Sequence, residues 1–123
     1  MKQTYETGLN GEKAAENWLR REKGMTCLER RYRTKSGEID LIMLDHGTIV
    51  FVEVKTRLTG NTGLGLQTIN QTKQKRIAYA ATWYLLTHQS MNASVRFDAI
   101  EIHGNGQVLY IPNAFGSAGI FYR

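Results

Sequence analysis

The stretch that decides the fold is GEIDLIMLDHGTIVFVEVK, residues 37–55. Both halves are rich in Val, Ile and Leu, and the Asp45-His46-Gly47 segment between them is typical of a hairpin turn. If His46 and Gly47 form a two-residue loop, Asp45 faces Thr48. The stretch is therefore predicted to form two antiparallel strands, from Ile39 to Leu44 and from Thr48 to Val54.

Counting back along this hairpin pairs Asp40 with Glu53, and Glu38 with Lys55, with all four side chains on one face. Opposed carboxylates lie roughly 5 Å apart and repel each other. A cation between them would relieve the repulsion, and Mg²⁺ is commonly held by one or two carboxylates with water and phosphate oxygens. The alternative is a solvated face with ordinary cross-strand charge pairs. The residues alone leave both interpretations open.

Length and composition indicate one globular domain over residues 1–123, with 41% hydrophobic and 22% charged residues. The formal charge of +5 slightly favours an anionic partner. A single cysteine, Cys27, excludes an internal disulfide framework and fits a reducing compartment. There is no apolar leader and no run of apolar residues long enough to span a membrane. A cytoplasmic protein is expected.

Periodicity and turn residues predict the remaining elements around the hairpin. They are a helix over about Thr7 to Lys23, a strand from Met25 to Arg33, a glycine-rich loop from Thr56 to Gln67, a helix over about Asn70 to His88, and strands Val95 to His103 and Gln107 to Ile111. Residues 113–123 have no clear pattern. The predicted order is α-β-β-β-α-β-β, an α/β fold.

Several charged side chains outside the hairpin are candidates for the same site. Glu12 borders the buried face of the first helix, where it either stays at the solvent edge or leans toward the hairpin. Lys73 lies one turn before Ile77 on the apolar stripe of the second helix and is expected to point inward. The basic run includes Arg33 and Lys35, which either protect a strand edge or contact phosphate.

Other polar and aromatic residues are given structural roles. Asp98 is expected to hold Arg96 or a backbone amide. Tyr79 and Trp83 are expected to pack or to flank the core rather than to serve as stacking platforms. The three histidines are scattered, which argues against a zinc site or a histidine-activated nucleophile. No phosphate-binding or dinucleotide-binding loop is present.

Taken together, the motifs resemble the YraN-like family of bacterial proteins, within the restriction-endonuclease-like, or PD-(D/E)XK, superfamily. The layout is also similar to archaeal Holliday-junction resolvases. The matching residues are Gly11-Glu12, Ala15, Trp18-Leu19, Gly37 to Ile42, Phe51 to Lys55, Arg57, Lys73, Arg96-Phe97-Asp98 and Asn113-Ala114-Phe115. One departure is Ile39 before Asp40, where the superfamily name has proline.

The resemblance implies a mixed central sheet flanked by helices and a Mg²⁺- or Mn²⁺-dependent hydrolysis of phosphodiester bonds. It assigns the metal to Asp40, Glu53 and the Val54 carbonyl, and catalytic roles to Glu12 and Lys55 as well. The implied nucleic-acid contacts are Lys73, Arg57, Arg33 and Lys35.

Two functions follow as hypotheses. The first is an endonuclease acting on DNA, including branched or damaged DNA. The second is a non-catalytic nucleic-acid-binding or adaptor protein that keeps the nuclease fold. A homodimer is compatible with either hypothesis, by analogy with resolvases.

Overall fold

A computed structural model describes residues 2–57 and 69–116, with side chains described from residue 10 onward. The elements in chain order are α1 (Lys2–Lys23), β1 (Thr26–Arg33), β2 (Glu38–Asp45), β3 (Thr48–Arg57), α2 (Gln71–Thr87), β4 (Val95–His103) and β5 (Val108–Ile111). The predicted α-β-β-β-α-β-β order is confirmed. Neither helix of the described chain is both long enough and apolar enough to cross a membrane.

The five described strands form one open sheet in the order β1-β2-β3-β4-β5. Neighbouring strands are antiparallel except for β3 and β4, which are parallel and joined through α2. A parallel pair needs a crossover connection, and α2 supplies it. The sheet is therefore mixed, as predicted.

Alternating side chains of β3 divide the core into two layers. Val50 and Val52 pack with Leu19 of α1 on one face of the sheet. Ile49 and Phe51 pack with the apolar stripe of α2 on the other face. Both helices therefore cover the central strands, and the residues of β3 after Phe51 on the α2 face lie where the apolar layer ends.

The ends of the elements follow the local chemistry of the sequence. His46 and Gly47 adopt φ values of 50° and 88°, which form the tight hairpin turn. Gly24 ends α1 at a φ of 67°, and its amide donates to the Arg20 carbonyl at 3.1 Å. Asn70 caps α2 by accepting a 2.8 Å hydrogen bond from the Lys73 amide.

Two boundaries differ from the sequence prediction by more than one residue. Helix α1 begins at Lys2 rather than near Thr7, because the first residues contain no proline to stop a helix. Strand β3 continues through Thr56 to Arg57, because it pairs with β4 as far as His103. The rest of the predicted loop, residues 58–67, lies outside the described residues, as do residues 117–123.

Asp98 has the structural role expected for it, since its carboxylate is fully buried and saturated with donors. It accepts from Arg96 at 2.9 and 3.0 Å, from the Tyr110 hydroxyl, and from the Asn113 amide at 2.9 Å. These bonds anchor the chain after β5, where Phe115 stacks on Phe97 with ring centres 5.0 Å apart. This network explains the Arg96-Phe97-Asp98 and Asn113-Ala114-Phe115 motifs without catalysis.

Candidate functional site

The hairpin has the register that the sequence predicts. The observed pairs run from Asp45 with Thr48 to Leu41 with Val52, as the predicted count requires. Beyond the last of these pairs, the Asp40 carboxyl group interacts with Glu53 and accepts a 2.8 Å hydrogen bond from the Val54 amide. The side chains of Asp40 and Glu53 are therefore close together just past the end of the paired segment.

Asp40 and Glu53 form a carboxyl pair at the edge of the α2-side core. Glu53 is only 6% exposed. Burial, followed by the negative charge of Glu53, raises the pKa of Asp40 from an ordinary 3.8 to about 8, although the Val54 amide opposes the shift. With a pKa of about 8, Asp40 is mostly protonated at neutral pH.

Two lysines face this carboxyl pair. The Lys73 ammonium forms an ion pair with Glu53, so the predicted inward direction of Lys73 is confirmed. Burial opposes the charge of Lys73, but hydrogen bonds to Glu53 and Lys55 outweigh it and raise its pKa. Burial and the neighbouring Lys73 lower the pKa of Lys55. Lys73 therefore keeps its proton while Lys55 gives its proton up more readily.

Glu12 reaches the hairpin region from the opposite face of the sheet. Its carboxylate accepts a 2.8 Å hydrogen bond from Arg31, and only 17% of its side chain is exposed. Its charge contributes, as a minor cause, to the raised pKa of Asp40. Glu12 is thus half-buried, and its immediate partner is Arg31 of β1 rather than a residue of the hairpin.

The expected pairing of Glu38 with Lys55 is wrong. Glu38 instead forms an ion pair with Arg33 of β1, at 3.2 Å. The register explains the difference, because Arg33 stands directly across from Glu38 on the other side of β2. Lys55 is left to interact with Lys73, Glu53 and Asp40.

A cleft of about 910 Å³ opens beside the carboxyl pair, and we call it the basic cleft. Its cationic lining residues are Arg33, Lys35, Lys73 and Arg76. The loop before β2 forms one wall and the first turns of α2 form the other. Lys73 belongs to both features, since it lines the cleft and contacts Glu53.

The two walls of the cleft contact each other where Gly37 of the loop lies against the backbone of Arg76 in α2. A Cβ atom at this position would lie 2.3 Å from the Arg76 carbonyl oxygen, which is backbone and cannot rotate away. Only glycine lets the loop contact α2 at this distance. Gly37 therefore sets the width of the basic cleft.

Arg57, predicted to contact nucleic acid, lies outside the basic cleft. Its Nε atom is 3.9 Å from the Glu101 carboxylate, which is fully buried and lies 2.6 Å from Nε2 of His103 in a hydrogen bond. Glu101 interrupts the apolar alternation of β4, and this is the sequence signal by which the buried group could have been found. It stands beside Lys55 in the parallel register of β3 and β4.

Arg76 is a cleft residue that sequence reasoning misses, because the helical pattern predicts only that it faces solvent. It is indeed exposed, and it also lines the cleft. Its spacing of three residues from Lys73 is the available signal, because such residues are neighbours on a helix surface.

The donor set is compatible with a hard cation. Within the described parts of the chain, no group of three or more His, Cys, Asp and Glu side chains is arranged to hold a metal ion. Mg²⁺ needs fewer protein ligands than that, because it retains several waters and is commonly bound by one or two carboxylates. The raised pKa of Asp40 further indicates a carboxyl pair that lacks positive charge.

Comparisons with known proteins identify close sequence relatives. The family described as "Uncharacterised protein family UPF0102" matches residues 11–102. A "UPF0102 protein" of Desulfosudis oleivorans is 42% identical over 116 residues, covering 94% of each chain. A "UPF0102 protein" of Geobacter metallireducens is 41% identical over 88% of this chain and 90% of its own.

One solved structure is also similar in part. It is described as "Crystal structure of SSO0001" and is 17% identical, with a TM-score of 0.40. The match covers 92% of this chain and 54% of that chain, so this chain spans about half of its length.

Proposed function

This chain belongs to the UPF0102 family, which its motifs predict under the name YraN-like, and we propose that it is a Mg²⁺-dependent endonuclease acting on DNA. The observation that carries the proposal is the Asp40–Glu53 pair, in which Glu53 is buried and Asp40 half-buried, faced by two lysines with oppositely shifted pKa values. Strongly perturbed groups gathered beside a cleft are typical of a catalytic site. The superfamily resemblance supports the same chemistry.

Asp40 and Glu53 would hold Mg²⁺, or Mn²⁺, together with the Val54 carbonyl. When bound, the ion supplies a water of lowered pKa and stabilises charge on the phosphoryl oxygens. Asp40 must lose its proton to act as a ligand. The hydrogen bond from the Val54 amide favours that ionised form and fixes the direction of the carboxylate.

Lys55 is the base, or the group that orients the attacking water. Its lowered pKa raises the fraction of neutral amine that can accept a proton from water. Lys73 neutralises Glu53 in the free protein, and it would turn to the phosphate when a cation takes its place. Arg33, Lys35 and Arg76 would hold the flanking phosphates in the basic cleft.

The deciding experiment incubates the protein with labelled duplex, single-stranded and four-way-junction DNA, in Mg²⁺ or Mn²⁺ and in EDTA. We expect cleavage only with metal. Asp40→Asn and Glu53→Gln should each lower the rate at least about 100-fold, since the lost interaction is worth several kcal/mol. Lys55→Met should lower it about 10²- to 10⁴-fold, the range for general acid–base groups.

Glu29→Gln is the matched control, because it makes the same change in an exposed carboxylate of β1. A second readout is thermal: Mg²⁺ should raise the melting temperature of the wild type and not that of Glu53→Gln. Absence of cleavage on all three DNAs, or equal cleavage by Asp40→Asn, would refute the enzyme. DNA binding that persists under those results would identify the non-catalytic alternative instead.

A further inference from the structure

An exposed row of side chains runs along the outer surface of α2, and we call it the aromatic stripe: Lys75, Tyr79, Trp83 and Leu86. Tyr79 is 48% exposed, Trp83 51% and Leu86 53%. Their spacing of three or four residues brings them onto one face, opposite the buried stripe that includes Ile77 and Ala81. Of the two structural roles expected for these aromatic residues, they flank the core and do not pack inside it.

A groove of about 650 Å³ follows this face. Besides the stripe, its lining includes Gln71, Gln74 and Thr82, which offer amide and hydroxyl groups. Helix α2 contains Lys73, Lys75 and Arg76 and no acidic residue. The surface therefore combines aromatic faces, hydrogen-bonding groups and positive charge only.

The stripe is continuous with the basic cleft. Lys75 of the groove and Arg76 of the cleft are consecutive residues, and by helical geometry Arg76 lies in the sector between Lys73 and Trp83. From Lys75 to Trp83 the helix rises about 12 Å. A strand whose phosphates lie in the cleft would thus reach the aromatic rings with its next nucleotides.

We propose that Tyr79 and Trp83 stack with unpaired bases of DNA, so that the substrate class includes a single-stranded segment next to the scissile phosphate. The inference rests on the proposed function for the position of the DNA in the cleft. Aromatic platforms beside a basic groove are the usual means of holding single strands, because each base offers a π-face. Paired bases are stacked inside a duplex and cannot use such a surface.

The test measures binding in EDTA, where no cleavage occurs, with a labelled oligothymidylate of about 16 nucleotides, which covers the site sizes of single-domain binders. Trp83→Ala should weaken its binding about 5- to 150-fold, and Trp83→Phe should retain most of it. Binding of a duplex of the same length should change less than about twofold, because phosphate contacts dominate it. Leu28→Ala, which truncates an exposed apolar side chain of β1, is the control.

A second readout uses Trp18→Phe, which leaves Trp83 as the sole tryptophan. Trp18 lies against Tyr110, away from the stripe. We expect the oligothymidylate to quench the remaining emission, and circular dichroism to show that every variant is folded. Stacking is supported if the oligothymidylate quenches the emission of Trp83 and Trp83→Ala weakens binding of the same oligothymidylate.

The inference is overturned if Trp83→Ala weakens single-strand and duplex binding equally, or weakens neither. It is also overturned if sedimentation finds a dimer that Trp83→Ala dissociates, since a second copy then covers the stripe. Single-strand binding through Trp83 without any cleavage would support the stripe and contradict the nuclease. Cleavage that depends on Asp40 but not on Trp83 would support the nuclease and contradict the stripe.

Discussion

Lys73 occupies, in the free protein, the position in which the carboxyl pair needs a cation. Its ammonium pairs with Glu53, yet Asp40 still has a pKa of about 8. The lysines that face the pair therefore do not offset the burial of Asp40 and the negative charge of Glu53. A divalent ion held by both carboxylates would favour their ionised forms, and this is the physical reason to expect metal binding at this pair.

The raised pKa of Asp40 makes the stability of the metal-free protein depend on pH. The folded protein binds this proton more tightly than the unfolded chain, where the pKa is near 3.8. The resulting stabilisation is fully present below the unfolded pKa and is lost as pH rises through about 8. Asp40→Asn carries no such charge, and its amide oxygen can still accept from Val54.

We therefore expect the melting temperature of Asp40→Asn in EDTA, measured relative to that of the wild type, to increase as pH rises from about 5 to about 9. The measurement is a pair of thermal melts at each pH. Mg²⁺ should reverse the order at the upper end, because it stabilises only the ionised pair. Glu29→Gln serves as the exposed control, and a difference that does not vary with pH would contradict the shifted pKa.

At the scale of elements, the loop before β2 and the first turns of α2 must stay in contact for the basic cleft to exist. Gly37→Ala should destabilise the fold by about 1–3 kcal/mol, because the added Cβ meets the Arg76 carbonyl in a packed contact. Denaturant unfolding measures this loss. The same variant should bind DNA more weakly, since the two cationic walls separate.

Ser36→Ala is the matched control for Gly37→Ala, because Ser36 is exposed in the same loop. It should leave the free energy of unfolding within about 0.5 kcal/mol of the wild type. If Gly37→Ala unfolds like Ser36→Ala, the loop does not set the spacing of the cleft.

Local chemistry accounts for what the sequence predicts well at this scale. The hairpin register depends on a two-residue turn and a period of two, and both can be read within residues 39–54. The Glu38–Lys55 pairing failed because an interior strand has two neighbours, and Arg33 on the other neighbour is the actual partner. The contact of Gly37 with α2 has no periodic signal, since it joins residues far apart in the chain.

At the scale of the whole molecule, basic residues on the two faces of the sheet differ in how closely acidic partners hold them. On the α1 face, Glu12 and Glu16 neutralise Arg31 and Arg30 through hydrogen bonds of 2.7–2.8 Å. On the α2 face, the cleft gathers four cationic residues against Glu38. A net charge of +5 is modest, so under the proposed function the location of the charge rather than its size would direct DNA to the α2 face.

The salt dependence of duplex binding in EDTA tests this distribution of charge. Lys73 is compensated by the buried Glu53, whereas the ion pair of Arg33 with Glu38 is exposed and therefore weak, so Arg33, Lys35 and Arg76 are the cleft residues open to phosphates. At about −0.9 per neutralised phosphate, three contacts give a slope of about −3 for log K against log salt. Lys35→Gln should make that slope shallower by about one unit, because one counterion-releasing contact is removed. Lys13→Gln, an exposed lysine on α1, should leave it unchanged. Equal effects of the two variants would mean that the molecule attracts DNA through its overall charge and not through the cleft.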